Sequence, residues 1–186
     1  MSQWNTLVER NRGFAASVDP AMLRLPDRAN LPDTMLILLT CLDPRVEPAA
    51  TLGVRLGDAS VLRNAGGRVD HRVMEDIAFL AARFGVRLDV AVIHHTQCGT
   101  GLLADPGFRR SFADLAGLDD AALKAKAVTD PVETVRHDVS KLLGGPLMSD
   151  DVVASVSGHV LRLETGTVET VVEATTPAEA RRATAA

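Results

Sequence analysis

An uninterrupted apolar run of strand length, residues 35–40, constrains the fold of this chain more than any other sequence feature. A strand with one face in water alternates polar and apolar residues, whereas a continuous apolar run indicates burial on both faces. A second, nearly continuous run covers residues 88–93, and a shorter candidate strand covers residues 59–63. Strands buried on both faces are typical of parallel sheets covered by helices, so a mainly parallel sheet is predicted.

Helical patterns separate these strands. Between residues 70 and 84 the apolar side chains recur at intervals of three and four, and Gly85 follows as a stop signal. A further helix is predicted to open at Asp130-Pro131 and to run to about residue 143. Apolar positions at helical intervals also predict a helix over residues 5–17.

The C-terminal part of the chain has strand patterns. Residues 152–157 predict one strand, and residues 160–163 and 168–172 predict the arms of a hairpin around Thr165-Gly166. The predicted fold class is therefore α/β, with a mainly parallel central sheet flanked by helices and an antiparallel C-terminal strand.

The length of 186 residues corresponds to one domain. We predict a single domain over residues 1–174 that includes an N-terminal helical arm over residues 1–30. The Ala/Thr/Glu-rich residues 175–186 are predicted to be a tail, either frayed or partner-binding.

Charge and composition argue against several function classes. The net charge is -4 and the sequence has no block of Lys or Arg, whereas nucleic-acid binding needs clustered cations. Aromatic residues make up only 3%, with no tyrosine, which argues against stacking on bases. No apolar run approaches the roughly 20 residues of a membrane span, and no secretory signal pattern is visible, so a cytoplasmic location without membrane contact is predicted.

Both cysteines follow predicted strands. Cys41 comes directly after the first strand, and His95 and Cys98 come after the strand over residues 88–93. Since ligands of open α/β sheets bind beyond the carboxyl ends of the strands, these side chains are expected to converge. Two thiolates and an imidazole are ligand types that zinc accepts, and three protein ligands leave one tetrahedral position open. The pattern predicts one Zn²⁺ per chain in an open, catalytic type of site.

Asp43 and Arg45 lie within four residues of Cys41, and Pro44 stiffens the turn that carries them. An aspartate paired with arginine stays ionised, and an ionised carboxylate only accepts hydrogen bonds. Asp43 could therefore accept a hydrogen bond from a zinc-bound hydroxide but not from an anion without hydrogen. The predicted chemistry is attack of zinc-bound hydroxide on an electrophilic carbon, with Asp43 and Arg45 as catalytic residues.

Three segments together carry a family resemblance. They are Cys41-Leu42-Asp43-Pro44-Arg45, Arg63-Asn64-Ala65-Gly66 and His95-Thr96-Gln97-Cys98-Gly99, and they resemble the successive signatures of the β-class carbonic anhydrases. The resemblance extends over roughly residues 33–172. It implies zinc on Cys41, His95 and Cys98, and an Asp43-Arg45 dyad beside the metal. It also implies reversible hydration of carbon dioxide to bicarbonate and a homodimer or a tetramer of dimers.

This chain departs from the family pattern at several positions. Leu38 stands where members with a bicarbonate-regulated site carry tryptophan, and Gln97 stands where many members have an acidic residue. The absence of tyrosine suggests a more apolar pocket, which would suit carbonyl sulfide or carbon disulfide, the substrates of relatives on the same scaffold. A further alternative is a non-catalytic zinc-stabilised binding or sensing module in which Asp43 is a permanent fourth ligand.

Two nearby features have competing interpretations. Adjacent side chains on an extended segment point in opposite directions, so His94 is predicted to be a hydrogen-bonded packing residue rather than a ligand. Residues 99–104 match the G-x-G-x-x-A dinucleotide fingerprint, but Asp105-Pro106-Gly107 interrupts the long helix that this fingerprint needs.

Overall fold

The protein is described by a computed structural model that covers residues 2–185. The chain divides into two compact units, with the boundary between Asn30 and Leu31.

The N-terminal unit consists of helix α1, Gln3–Ser17, and two short 3-10 turns, Pro20–Leu23 and Arg28–Asn30. Ser2 caps the helix, because its hydroxyl accepts a hydrogen bond from the Asn5 backbone N–H. None of the described residues of this unit is buried, and its large apolar side chains are exposed, among them Trp4 at 69%.

The second unit is built on a five-stranded sheet with the strand order β2-β1-β3-β4-β5. The first four strands run parallel, and β5 pairs antiparallel with β4, which confirms the predicted fold class. The strands are β1 Thr34–Cys41, β2 Ser60–Asn64, β3 Arg87–His95, β4 Val153–Arg162 and β5 Thr167–Thr175.

Within residues 2–185, six helices accompany the sheet, together with 3-10 turns at Pro44–Val46, Ala65–Gly67 and Gly99–Ala104. Helix α3, His71–Phe84, is followed by Gly85, whose left-handed conformation agrees with the predicted stop. The segment predicted as a tail contains a helix, α7. The helices are α2 Pro48–Thr51, α3 His71–Phe84, α4 Pro106–Ala116, α5 Asp120–Lys124, α6 Pro131–Leu143 and α7 Pro177–Ala185.

One prediction of secondary structure is wrong. The sequence pattern separated residues 152–157 from the first arm of the hairpin, but β4 is one continuous strand. Gly158 interrupts the apolar pattern without interrupting the strand, and it pairs with Val92 of β3. A Cβ atom at this position would lie 3.0 Å from Val139 Cγ2, so the glycine allows α6 to approach the sheet closely.

Both faces of the central strands are buried toward their carboxyl ends, as the apolar run predicts, whereas Leu36 near the start of β1 is exposed. Ile37 and Leu39 of β1 belong to a large cluster that includes the apolar faces of α3 and α6, whereas Leu38 belongs to a second cluster with Ile93. Because β1 and β3 are adjacent and parallel, their last residues lie at the same edge of the sheet.

Candidate metal centre

The ends of β1 and β3 bring three potential metal ligands together. Cys41 is the last residue of β1, His95 is the last residue of β3, and Cys98 precedes the turn Gly99–Ala104. One ligand atom from each lies within 4.8 Å of the other two, and the two Sγ atoms are 4.0 Å apart. The three residues could therefore hold a single metal ion.

The surroundings of His95 fit a metal ligand. The ring is buried, and Nδ1 lies 2.8 Å from the Thr96 carbonyl oxygen, which can only accept a hydrogen bond. The Nδ1 hydrogen of His95 is therefore donated to this oxygen, and Nε2 is the ring nitrogen left for a metal ion. Nε2 is buried and has no hydrogen-bond partner among the described residues. Buried polar atoms are rarely left unpaired, and a histidine bonded through one nitrogen is typical of metal ligation through the other.

Backbone N–H groups donate hydrogen bonds to the sulfur of Cys41. Gly66 N donates to Cys41 Sγ at 3.3 Å, and Asp43 N donates to it at 3.5 Å. Such donors stabilise a thiolate, which is the form that binds metal. The glycine-containing turn Ala65–Gly67, which follows β2, thus contacts the site through its backbone.

The close approach of this turn to β1 requires glycine at position 67. Gly67 has φ of 66°, and a Cβ atom there would lie 2.9 Å from the Thr40 carbonyl carbon. We expect Gly67→Ala to destabilise the protein by about 1–3 kcal/mol, measured by chemical denaturation, since it adds both strain and a backbone clash. Gly166→Ala is the control, because Gly166 has φ of 74° but open space around its Cα. Equal losses in the two variants would contradict a role for the clash.

The two thiols form a coupled pair. The contact with Cys41 lowers the pKa of Cys98 to about 6, whereas the contact with Cys98, together with burial, raises the pKa of Cys41 to about 12. Without metal, the pair thus retains one proton across the neutral range. Zinc must displace this proton, because only thiolates are ligands.

We expect zinc binding to release about one proton from this pair near pH 8, so that zinc affinity rises with pH. Below pH 6 both sulfurs are protonated and the pH dependence should become steeper. Calorimetric titration in buffers of different ionisation enthalpy measures the released protons. A pH-independent affinity would contradict this description of the thiols.

Asp43 and Arg45 form an ion pair beside the cysteines. Arg45 Nη2 donates to Asp43 Oδ2 at 2.7 Å, and Arg45 Nε donates to Oδ1 at 3.0 Å. The Arg45 guanidinium lowers the pKa of the Asp43 carboxyl to about 2, so the carboxylate is ionised at any working pH. Arg45 Nη2 also donates to the carbonyl oxygen of Gln97 at 3.1 Å, which links the ion pair to the segment between the other two ligands.

His94 is not one of the three candidate ligands. It is fully buried, with Nδ1 2.8 Å from Thr134 Oγ1 and Nε2 3.2 Å from the Gly67 carbonyl oxygen. His94 is thus a hydrogen-bonded packing residue, as predicted. Its Nε2 is also 3.3 Å from Asp138 Oδ2, which belongs to a buried ion pair with Arg68.

Sequence reasoning missed the Arg68–Asp138 pair. Arg68 Nε donates to Asp138 Oδ2 at 2.7 Å and Arg68 Nη2 donates to Oδ1 at 3.2 Å, although the two residues are 70 positions apart. One signal was available: Asp138 stands three residues after Val135 and four before Leu142, on the apolar face of α6.

The other histidines are not among the three candidate ligands; they are His71, His137 and His159. His71 is exposed and lies next to Glu75, whereas His159 is half-buried between Ser157 and Thr170. The glycines of the dinucleotide fingerprint lie in a six-residue 3-10 turn instead of opening a long helix, which argues against nucleotide binding. Among residues 2–185, none of the helices is both long enough and apolar enough to cross a membrane.

Comparison with known proteins agrees with this geometry. The family model described as carbonic anhydrase matches residues 36–105. Beta-carbonic anhydrase 1 of Mycobacterium tuberculosis is 29% identical over 135 residues, which are 73% of this chain and 80% of the relative. Carbon disulfide hydrolase of Acidithiobacillus thiooxidans is 29% identical over 150 residues, which are 70% of this chain and 74% of the relative.

Two further comparisons cover most of the chain. The putative carbonic anhydrase YvdA of Bacillus subtilis is 30% identical over 161 residues, which are 76% of this chain and 78% of the relative. The crystal structure of carbonic anhydrase from Streptococcus mutans matches with a TM-score of 0.70 at 29% identity, covering 92% of this chain and 98% of that one. From the sequence similarity, the shared fold and the Cys-His-Cys cluster it follows that the chain belongs to the β-carbonic anhydrase family.

Proposed function

We propose that this protein reversibly hydrates carbon dioxide to bicarbonate, with one Zn²⁺ held by Cys41, His95 and Cys98. The observation that carries the proposal is the convergence of these three ligand atoms within 4.8 Å beside an Asp43 carboxylate that Arg45 already holds. Bound zinc would supply the Lewis acidity that turns water into a nucleophile near neutral pH.

Asp43 selects the protonation state of what binds next to it. Both of its oxygens accept hydrogen bonds from Arg45, and its lowered pKa keeps it an acceptor only. It therefore favours a group that still carries hydrogen and disfavours an anion without one. Arg45 keeps the carboxylate in place because its guanidinium is also anchored to the Gln97 carbonyl.

Hydrolysis of carbon disulfide or carbonyl sulfide at the same centre is the second candidate. Carbon disulfide hydrolases are among the relatives, and they match this chain over a similar length to the carbonic anhydrases. The sequence also contains no tyrosine, which removes one source of polar groups from the pocket. Both substrates are small linear molecules with an electrophilic carbon, like carbon dioxide.

A non-catalytic zinc module is the weaker alternative. It requires Asp43 to leave Arg45 and to become a fourth zinc ligand. Four hydrogen bonds from Arg45 to the Asp43 carboxylate, one of them from the Arg45 backbone N–H, oppose this movement. X-ray absorption at alkaline pH tests the alternative by counting protein ligands around the metal.

We propose further that the protein acts in the cytoplasm, where free thiols persist, and that it forms a homodimer or a tetramer of dimers. The exposed apolar side chains of the N-terminal unit, Trp4, Leu7 and Phe14, support an arm that becomes covered on assembly. Residues 1–174 would then form one zinc-binding catalytic domain including this arm, followed by the segment 175–186. Sedimentation velocity on the full chain and on Trp4→Ser tests the assembly.

The deciding experiment compares carbon dioxide, carbonyl sulfide and carbon disulfide as substrates of one preparation whose zinc content has been measured. We expect about one zinc per chain, as in other three-ligand catalytic sites, and fast carbon dioxide hydration in a stopped-flow pH-indicator assay. Sulfide release from carbonyl sulfide and carbon disulfide is measured on the same preparation. Purified protein without zinc, or zinc-loaded protein that only releases sulfide, would overturn the proposal.

A further inference from the structure

The two-residue link between His95 and Cys98 has an unusual backbone. Gln97 has φ of 55°, and it is the non-glycine residue with positive φ among residues 2–185. Side chains with a Cβ atom disfavour this left-handed region, so the conformation needs support from its surroundings. The conformation matters because it sets where Cys98 lies relative to His95.

Glu164 supplies this support from the turn between β4 and β5. Its Oε2 accepts a hydrogen bond from Thr96 Oγ1 at 2.8 Å, and its Oε1 accepts one from Gln97 Nε2 at 3.0 Å. One carboxylate thus holds both residues of the link. No other described side chain accepts a hydrogen bond from the side chains of these two residues.

The backbone around Glu164 is itself fixed. Gly166 N donates to the Arg162 carbonyl oxygen at 2.7 Å, which closes the turn. Leu163 N donates to Thr96 Oγ1 at 2.9 Å, and Thr96 N donates to the Leu161 carbonyl oxygen at 3.1 Å. The carboxylate therefore projects from a part of the chain that is already joined to the link.

The two residues that Glu164 holds are hydrogen-bonded through their carbonyl oxygens to side chains of the metal site. The Thr96 carbonyl oxygen accepts the Nδ1 hydrogen of His95 and so orients the imidazole ring. The Gln97 carbonyl oxygen accepts a hydrogen bond from Arg45, the partner of Asp43. A change in the Thr96-Gln97 link would thus move the His95 ring, the Cys98 sulfur and the Arg45 guanidinium together.

We propose that Glu164 is a positioning residue of the metal centre, which preorganises His95 and Cys98 by holding the link between them. The inference rests on the proposed zinc site. Groups hydrogen-bonded directly to metal ligands fix ligand orientation, and their removal typically costs 10–100-fold in metal affinity. Glu164 is exposed and holds the link rather than a ligand itself, so its removal should cost the lower end of this range.

The first test measures zinc affinity by competition with a chromophoric chelator. Glu164→Leu is expected to bind zinc about 10-fold more weakly and to shift the visible absorption bands of the cobalt-substituted protein. Glu164→Gln keeps one acceptor for Gln97 and should lose less affinity. Glu169→Leu is the matched control, since Glu169 is an exposed glutamate of the same hairpin that pairs with Arg162 instead. Its affinity and spectrum should be unchanged.

The second test is a rescue that a simple charge effect would not produce. Glycine adopts positive φ without steric cost, so Gln97→Gly should recover part of the zinc affinity in the Glu164→Leu background. If Glu164 acts only through its negative charge, Glu164→Gln will lose as much affinity as Glu164→Leu, and Gln97→Gly will restore nothing. Either result overturns the inference.

A third measurement separates failure of this inference from failure of the proposed function. Hydrogen exchange of the metal-free protein should be faster over residues 95–98 in Glu164→Leu than in Glu169→Leu. If wild-type protein binds no zinc, the proposed function and this inference both fall. If wild-type protein and Glu164→Leu bind zinc equally tightly and exchange at the same rate, only the role of Glu164 falls.

Discussion

Replacing Asp43 with alanine is expected to lower kcat/KM for carbon dioxide hydration by about 10²–10³-fold while zinc stays bound, a typical cost of removing one oriented hydrogen-bonding group from an active site. On the proposed mechanism, the variant loses the acceptor that selects a hydrogen-bearing group beside the metal. It also releases the Arg45 guanidinium, which the structure shows bound to both carboxylate oxygens. Stopped-flow hydration assays on protein with measured zinc content give the result.

Asp58→Ala is the control for this prediction. Asp58 also accepts hydrogen bonds from a neighbouring arginine, Arg55, but it does not belong to the site. Asp43→Asn should be nearly as slow as Asp43→Ala, because an amide keeps the shape of the carboxylate but loses its charge. Normal turnover of Asp43→Ala with a full complement of zinc would remove Asp43 from the mechanism.

Replacing Asp138 with alanine is expected to reduce the free energy of unfolding by about 3–5 kcal/mol, the usual cost of removing one partner from a buried ion pair. Asp138 is completely buried and accepts hydrogen bonds from the Arg68 guanidinium and from Val69 N. Without it, the buried Arg68 guanidinium keeps, among the described residues, the carbonyl oxygens of Ala125 and Ala127 as partners. Urea denaturation measures the loss.

The lowered pKa of the Asp138 carboxyl also predicts that the free energy of unfolding depends on pH. Burial alone would raise the pKa of Asp138, but hydrogen bonds from His94 and Arg68 outweigh burial and hold it below its ordinary value. In the unfolded chain an aspartate carboxyl has a pKa of about 3.9. The contribution of Asp138 to the free energy of unfolding is therefore complete above that pH, and it is lost as the pH falls through the lower pKa of Asp138 in the folded protein. Asp138→Asn should lack this part of the acid destabilisation.

Two further variants test whether the loss of stability comes from leaving the Arg68 charge unpaired in the core. Asp150→Ala removes an exposed partner of Arg181 and should change stability little, because exposed pairs contribute little. The double variant Arg68→Met/Asp138→Leu should be more stable than Asp138→Leu alone, because no unpaired charge is left in the core. A double variant that is no more stable than Asp138→Leu would contradict the proposed origin of the loss.

The cluster of Cys41, His95 and Cys98 was predictable because it depends on local patterns. Each ligand follows an apolar run that can be recognised by itself, and adjacent parallel strands bring their carboxyl ends to one edge. Gly158 shows where such reasoning fails. A glycine that appears to end a strand was instead required by the approach of α6, and the sequence alone does not show which helix packs there.

The sequence by itself determined the α/β fold class, the burial of the central strands and the type of ligands at their ends, because all of these follow from the spacing of residues close together in the chain. It did not predict helices α2, α4, α5 and α7. Only the tertiary structure decided the pairing of Arg68 with Asp138 and the contact of Glu164 with Thr96 and Gln97. These residues are about 70 positions apart, and no local pattern encodes which distant charge will meet which donor. Such contacts arise where α6 meets the residue that follows the turn Ala65–Gly67 and where the β4–β5 turn meets the residues that follow β3, since a hydrogen bond forms only when both groups are brought within about 3 Å.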